Sequence, residues 1–353
     1  MGLSRHSQTS LHPFPSLNTR ILILKLGALG DVVRTSYILP GLHKKFGPAA
    51  SITWVTSPAA LPLLRFNPYV AQLVSVDHCT TESLPSELTK DEFDWVISLD
   101  DEAESCHLAH RVRAKKVSGA YVVEGKVRYS EDTNAWFDMG LISRFGKEKA
   151  DELKIANRLP HDQILGSMLG IEIESPTFYN DPRSEEYART IPELSSGPRV
   201  GLNLSAGTRW PSKALRLEEA IRLVLKLQGI GANCILLGGS ADGQYLRSLS
   251  SQSGAPVIND LSVDRFAGFI GHLDLLITSD TLALHLAIAQ KTPSVSYYAP
   301  TSAAEINTFG SGAKITSTSA DYCSYRPNAD NTSITAERLF DAAVKLLAAT
   351  HIA

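Results

Sequence analysis

The sequence predicts an α/β protein made of two Rossmann-like halves with a cleft between them. Three observations carry this prediction. The 353 residues, at roughly 150 per domain, suggest about two domains. From Arg20 onward, short apolar runs alternate with longer amphipathic segments, the pattern of strands and helices that feed a parallel sheet. That pattern lapses between about Arg128 and Glu193 and then resumes. A composition of 43% hydrophobic and 20% charged residues excludes wholesale disorder and low-complexity architectures.

In the first half, Ile21 to Leu26 (ILILKL) is a strand interrupted only by Lys25. Gly27 to Gly30 form a tight turn, and a helix is expected from about Asp31 through DVVRTSYILPGLHKKF. Further strands are expected at Ser51 to Ser57, Gln72 to Asp77, Asp94 to Asp100 and Lys115 to Val122. The stretch from Arg128 to Glu193 reads as a linker region with helical pieces such as ILGSMLGIE. The second half begins with the strand Val200 to Ser205, followed by a helix over LEEAIRLVLKLQ, the strand CILLGG and a short helix from Asp242. The strand LDLLITS, the helix TLALHLAIAQ, the strand SVSYYAP and a last helix AERLFDAAVKLLAAT complete it. The expected organisation is a mobile tail over 1–18, a first half over 19–190 that includes the linker, and a second half over 191–353.

Several function classes are disfavoured. With 34 Lys and Arg against 37 Asp and Glu, the formal charge of -3 argues against nucleic acid as a partner. The four cysteines, Cys79, Cys106, Cys234 and Cys323, show no C-x-x-C pairing, so neither a zinc site nor a disulfide framework is expected. Residues 1–18 lack an apolar core of the secretory kind, and no stretch reaches the ~18 apolar residues of a membrane span. A cytoplasmic protein, soluble or peripheral, is expected.

In open α/β sheets ligands bind beyond the carboxyl ends of strands. Four such loops carry chemistry. Lys25 to Asp31 (KLGALGD) delivers Asp31 to a helix start, either as a functional carboxylate or as a cap. It is not the dinucleotide fingerprint, because Leu26 stands at the first glycine position. Ser205 to Lys213 (SAGTRWPSK) sets Thr208, Arg209 and Lys213 among small residues that let backbone amides approach phosphate oxygens, without the P-loop spacing. Leu236 to Asp242 (LLGGSAD) ends a strand in Gly238 and Gly239 and places Asp242 at the next helix start. In Ile277 to His285 (ITSDTLALH), Ser279, Asp280 and Thr281 sit where a helix begins and its free amides can receive an anion. Asp280 also fits a cap and His285 a core histidine. Glu104, His107 and His110 form half of a di-iron pattern whose second half is missing. Arg111 to Lys116 (RVRAKK) is a solvated face, or an anion-binding one if it faces the cleft.

Taken in this order, the loops resemble the heptosyltransferase family, glycosyltransferase family 9, of lipopolysaccharide core synthesis. The matching residues are Lys25, Gly30 and Asp31 of K-x-x-x-x-G-D, Asn67 to Val70, Trp210, Pro211 and Lys213 of W-P-x-K, and Leu236 to Gly239. The motif S-D-T-G-x-x-H-L-A-A is matched by Ser279 to Ile288, with Leu282 in place of glycine, and Y-x-P-T by Tyr298 to Thr301. Ala28 and Leu29 occupy a turn that often carries serines. The resemblance implies the GT-B architecture, with an acceptor held by the first half and a nucleotide-sugar donor, ADP-heptose in characterised members, by the second. It implies Asp31 as general base in an inverting displacement, and Lys213 and the helix start at Thr281 as stabilisers of the departing diphosphate. Thr208, Arg209, Gly238, Asp242, Asp280, Leu282 and His285 would line the donor site, with Asp242 on the ribose. Lys25, Arg34, Asp100, Arg111 and Arg113 are the acceptor-side candidates. The expected partners are the donor and a glycan or lipid-linked anionic acceptor, with peripheral association at the inner membrane face. No metal or cofactor is expected. The rival readings are a nucleotide-sugar epimerase, a sugar-nucleotide binding protein without turnover, and an NAD-dependent oxidoreductase, against which the missing G-x-G-x-x-G counts.

Overall fold

The computed structural model describes residues 19–76, 85–139, 142–190, 197–207 and 209–350. The tail expected over 1–18, and with it Asp77, Cys79 and Thr208, lies outside the described residues. Two six-stranded sheets form the two halves. In the first, β1 (Arg20–Leu24), β2 (Ser51–Thr56), β3 (Gln72–Ser75), β4 (Trp95–Ser98), β5 (Val117–Val123) and β6 (Lys126–Tyr129) lie in the order β3-β2-β1-β4-β5-β6. In the second, β7 (Arg199–Asn203), β8 (Asn233–Gly238), β9 (Val257–Asn259), β10 (Leu275–Ser279), β11 (Ser294–Tyr298) and β12 (Gly312–Thr316) lie in the order β12-β11-β10-β7-β8-β9.

Every pairing is parallel except β5 with β6. That hairpin turns through Glu124 and Gly125, both at positive φ (50° and 73°), as a two-residue primed turn requires. The central strands β1 and β10 are covered on both faces, so they read as unbroken apolar runs.

One expectation about the elements is corrected. The helix expected from Asp31 to Phe46 is two helices, Leu29–Thr35 and Ile38–Phe46. Pro40 has no amide to donate to the Ser36 carbonyl and its ring crowds that carbonyl, so the first helix closes at Thr35. The stretch read as a linker holds helices Lys147–Ala156, His161–Leu169 and Pro182–Thr190. By Phe178 the chain has already joined the second half: Phe178 N donates to Ala289 O (2.9 Å), Asn180 Nδ2 to Gln290 Oε1 (2.6 Å), and Ser184 Oγ to Asp264 Oδ2 (2.9 Å).

The largest apolar cluster is shared between the halves. It joins Ile21, Ile23, Tyr37 and Trp54 to Leu237, Phe269, Leu284 and Tyr298. Cys106, Cys234 and Cys323 are free thiols buried within the structure. Among the described residues, no helix is long and apolar enough to cross a membrane.

Candidate functional site

The site is built where a helix start of one half meets a helix start of the other. Just past β1, Lys25 pairs with Asp100, which follows β4, and Asp100 Oδ2 accepts the Leu26 amide at 2.6 Å. This buried clamp fixes the turn that leads into the Leu29–Thr35 helix. Ala28 occupies the cap position there and makes no side-chain capping bond. Asp31 is the third helical residue, so it is not the cap that its sequence position allowed. Its Oδ1 pairs with Arg34 Nη2 at 2.8 Å. The cleft walls desolvate the Asp31 carboxyl and Asp280 opposes its ionisation, but Arg34, Lys25 and His285 outweigh both and hold it below the usual carboxylate range.

Across the cleft, Thr281 caps the Leu282–Gln290 helix through its backbone, and its hydroxyl turns to Thr278 Oγ1 (3.1 Å) instead of to the helix. The first amides of that helix have no acceptor within it. Asp280 precedes the cap. Lys213 Nζ donates to its backbone oxygen (2.6 Å) and to its Oδ2 (2.9 Å), and His285 Nε2 lies 3.6 Å from Oδ1. Burial disfavours the Asp280 charge, yet Lys213 and His285 hold its carboxyl well below the usual range.

The two helix starts touch through Gly30. A Cβ there would lie 2.8 Å from His285 Cδ2 and 3.4 Å from the backbone of Leu282. Glycine is thus required for close approach, since its φ is an ordinary helical one. Gly30→Ala should push His285 aside and separate Asp31 from the second half. Because an ångström of misplacement costs up to about 10²-fold in rate, turnover should fall steeply. Thermal melting should move by only a few degrees, since overpacking at one contact costs about 1–3 kcal/mol.

Beside this junction lies a cavity of about 290 Å³ in the second half, lined by Ser205, Gly207, Gly238, Asp242, Thr281 and Leu282, with an apolar wall from Ile258 to Phe266. Asp242 braces its rim, since Oδ1 accepts the Gly207 amide and Oδ2 the Gly239 amide, both at 3.0 Å. Ser205 Oγ is buried and has no hydrogen-bond partner within the protein. Arg209 is exposed and does not line the cavity.

Two acceptor-side candidates lie elsewhere. Because β4 and β5 are parallel, the Ala103–Arg111 helix returns the chain to the amino ends of the strands. Arg111 and Arg113 therefore sit at the sheet edge opposite Asp31 and Asp100, and Arg113 Nη2 donates to Thr89 O (3.2 Å) and Lys90 O (2.6 Å). Lys25, Arg34 and Asp100 are gathered at the site. Sequence reasoning missed His161, Glu305 and Tyr37, which no motif marks. Tyr37 Oη donates to His285 O at 2.9 Å and ties the halves together. Among the described residues, no group of three or more His, Cys, Asp or Glu is placed to hold a metal.

Two Rossmann-like halves meeting at opposed helix starts, with a cavity in the second half beside an amide- and lysine-bearing loop, form the GT-B architecture. The chain belongs to glycosyltransferase family 9 (heptosyltransferase), whose profile matches residues 82–333. No curated protein matches the sequence significantly. Among solved structures, the family 9 glycosyl transferase of Veillonella parvula DSM 2008 superimposes with a TM-score of 0.73 at 19% identity, covering 94% of this chain and 97% of that one. E. coli ADP-heptose lps heptosyltransferase II gives 0.66 at 17% identity over 94% and 100%. E. coli heptosyltransferase WaaC with ADP gives 0.65 at 16% identity over 93% and 100%.

Proposed function

We propose that the protein transfers heptose from ADP-heptose to an anionic glycan acceptor of the lipopolysaccharide-core kind, by a single inverting displacement. The observation that carries this reading is the opposition of a carboxylate on one half, Asp31, to a lysine and a helix start on the other, Lys213 and Thr281 to Leu282. The structural likeness to a heptosyltransferase with ADP, and to WaaC with ADP-2-deoxy-2-fluoro heptose, supports the choice of donor. The apolar wall from Ile258 to Phe266 suits a flat base, and Asp242, which lines the same cavity, is the candidate ribose contact.

In this mechanism Asp31 takes the acceptor hydroxyl proton as that oxygen attacks the anomeric carbon, and the bond from that carbon to the diphosphate breaks. The depressed pKa of Asp31 keeps it ionised and ready to accept a proton. The incoming diphosphate adds negative charge opposite Asp31, which raises its basicity when a base is needed. An ammonium has three donors; Lys213 spends two on Asp280 and keeps one for a phosphate oxygen. The Leu282 amide and the helix dipole add to this as leaving-group charge grows. Arg34 and Lys25 supply positive charge on the acceptor side. Catalysis at the inner membrane face would give a lipid-linked acceptor access to the cleft.

Calorimetry with ADP, UDP and GDP, followed by an ADP-release assay with ADP-heptose and a lipopolysaccharide-core acceptor, tests the reading. ADP should bind, and acceptor-dependent ADP release should follow with inversion at the anomeric carbon by NMR. Leu282 lines the cavity without filling it, so wild type should bind ADP and Leu282→Gly should alter mainly sugar choice. Absence of nucleoside diphosphate binding in wild type, restored by Leu282→Gly, would mean that the donor site is closed.

A further inference from the structure

A chain of polar side chains leaves the Asp31 carboxylate and crosses to the second half. Arg34 donates to Asp31 Oδ1 through Nη2 (2.8 Å) and to His161 Nδ1 through Nη1. On the other side of the imidazole, His161 Nε2 lies 3.4 Å from Glu305 Oε2, and Tyr325 Oη donates to Glu305 Oε1 at 2.5 Å. The His161 and Glu305 side chains are only 10% and 12% exposed. A guanidinium can only donate, so Nδ1 carries the lone pair and the ring proton sits on Nε2, directed at Glu305. Burial and the Arg34 charge hold the His161 pKa well below the ordinary histidine value, which keeps this ring neutral. Sugar transfer as described above uses none of His161, Glu305 or Tyr325.

We propose that His161, held in place by Glu305, is a positioning residue that fixes the Arg34 guanidinium on Asp31, so that the carboxylate is aimed and kept ionised while the two halves are joined. The catalytic consequence rests on the reading of Asp31 as the base; the effect on its ionisation does not. Every charged neighbour enters the balance. Asp31 is faced by Arg34 on its own helix, by Lys25 beyond β1, and by Asp280 and His285 from the second half. His161 is faced by Arg34, Lys25, Asp280, His285 and Glu305. Lys154 stands behind the network, 4.6 Å over the Tyr325 ring.

The test is an NMR titration of the full chain carrying carbon-13 at the aspartate carboxyls, with the Asp31 signal assigned by its loss in Asp31→Asn. His161→Leu fills the ring's volume but offers no acceptor, and His161→Ala repeats the loss without the bulk. His161→Asn places an amide oxygen where Nδ1 stood but loses the ring that packs against Trp136 at 5.2 Å. Released from His161, the Arg34 guanidinium should lose its fixed place on Asp31, so the Asp31 midpoint should rise by a few tenths of a pH unit, up to about 0.7, in the Leu and Ala variants, the shift equivalent to a partly exposed ion pair. The Asn variant should stay near wild type, and the acid limb of kcat/KM should follow the same order. A common midpoint in all of these proteins, or equal displacement in Asn, Leu and Ala, would overturn the proposal. If Asp31→Asn turned over normally, the base assignment would fall, and the titration would still decide whether His161 controls the carboxylate.

Discussion

Asp31→Asn is expected to lower turnover by ~10²–10⁴-fold, the usual contribution of a positioned general base. Stability should hardly change. The Asp31 side chain is 37% exposed, and an ion pair that meets solvent is worth about 0–1 kcal/mol. Asn keeps the shape and can still accept from Arg34, so the geometry of the opposed helix starts is preserved while the proton acceptor is lost. Steady-state assays alongside thermal melting separate the two effects. Retention of most of the activity at an unchanged melting temperature would remove Asp31 from the chemistry.

The second large effect is expected at Lys213. Because Lys213 is paired with Asp280 as well as placed beside the cavity, Lys213→Ala should reduce kcat by about 10²–10³-fold, the scale for losing one donor to developing charge. It should weaken donor binding as well, and cost about 3 kcal/mol of stability by stranding a buried carboxylate. The pH dependence identifies the cause. In wild type the folded Asp280 pKa lies well below its unfolded value, so the pair's stabilisation is complete above about pH 5 and is lost as pH falls through the depressed value. Without Lys213 the first charge that lowers it is gone while burial remains, so the folded pKa moves upward and protonation costs the variant less as pH falls. The gap in melting temperature between the two proteins should therefore be widest at neutral pH and should narrow toward about pH 4. A gap independent of pH would assign the lysine's effect to packing alone.

What was legible in the sequence follows from where the determinants lie. ILILKL and LDLLITS declared themselves because a parallel strand buried on both faces has no polar alternation to confuse the pattern. KVRY, VIN and GAKIT, which become β6, β9 and β12, are edge or near-edge strands that are short, half-exposed or polar, and their apolar signal is too weak to separate from a loop. PRSEEYART gave no helical face, since it packs through Ser184 and Ala188, small residues that hydropathy does not register. The loops after β1, β7, β8 and β10 were found because chemistry concentrates at strand ends, a local property. His161 and Glu305 were not, because their importance arises from contact with Arg34 across 127 residues of chain and with each other across the cleft. For RVRAKK the sequence left two readings, a solvated face or an anion-binding one, because which end of the sheet a returning helix reaches is set by the strand pairing and not by local composition.

The apolar cluster that runs without a break from β1 to the Leu282–Gln290 helix limits the modularity of this protein. Halves that each enclosed a private core would be exchangeable parts, and recombination could trade a donor specificity by swapping one of them. Here Tyr37 and Leu284 belong to a common interior, and either half alone would present its share of that interior to water. New specificities are then accessible chiefly by substitution in the loops at the strand ends, while the junction between the halves is inherited as a unit.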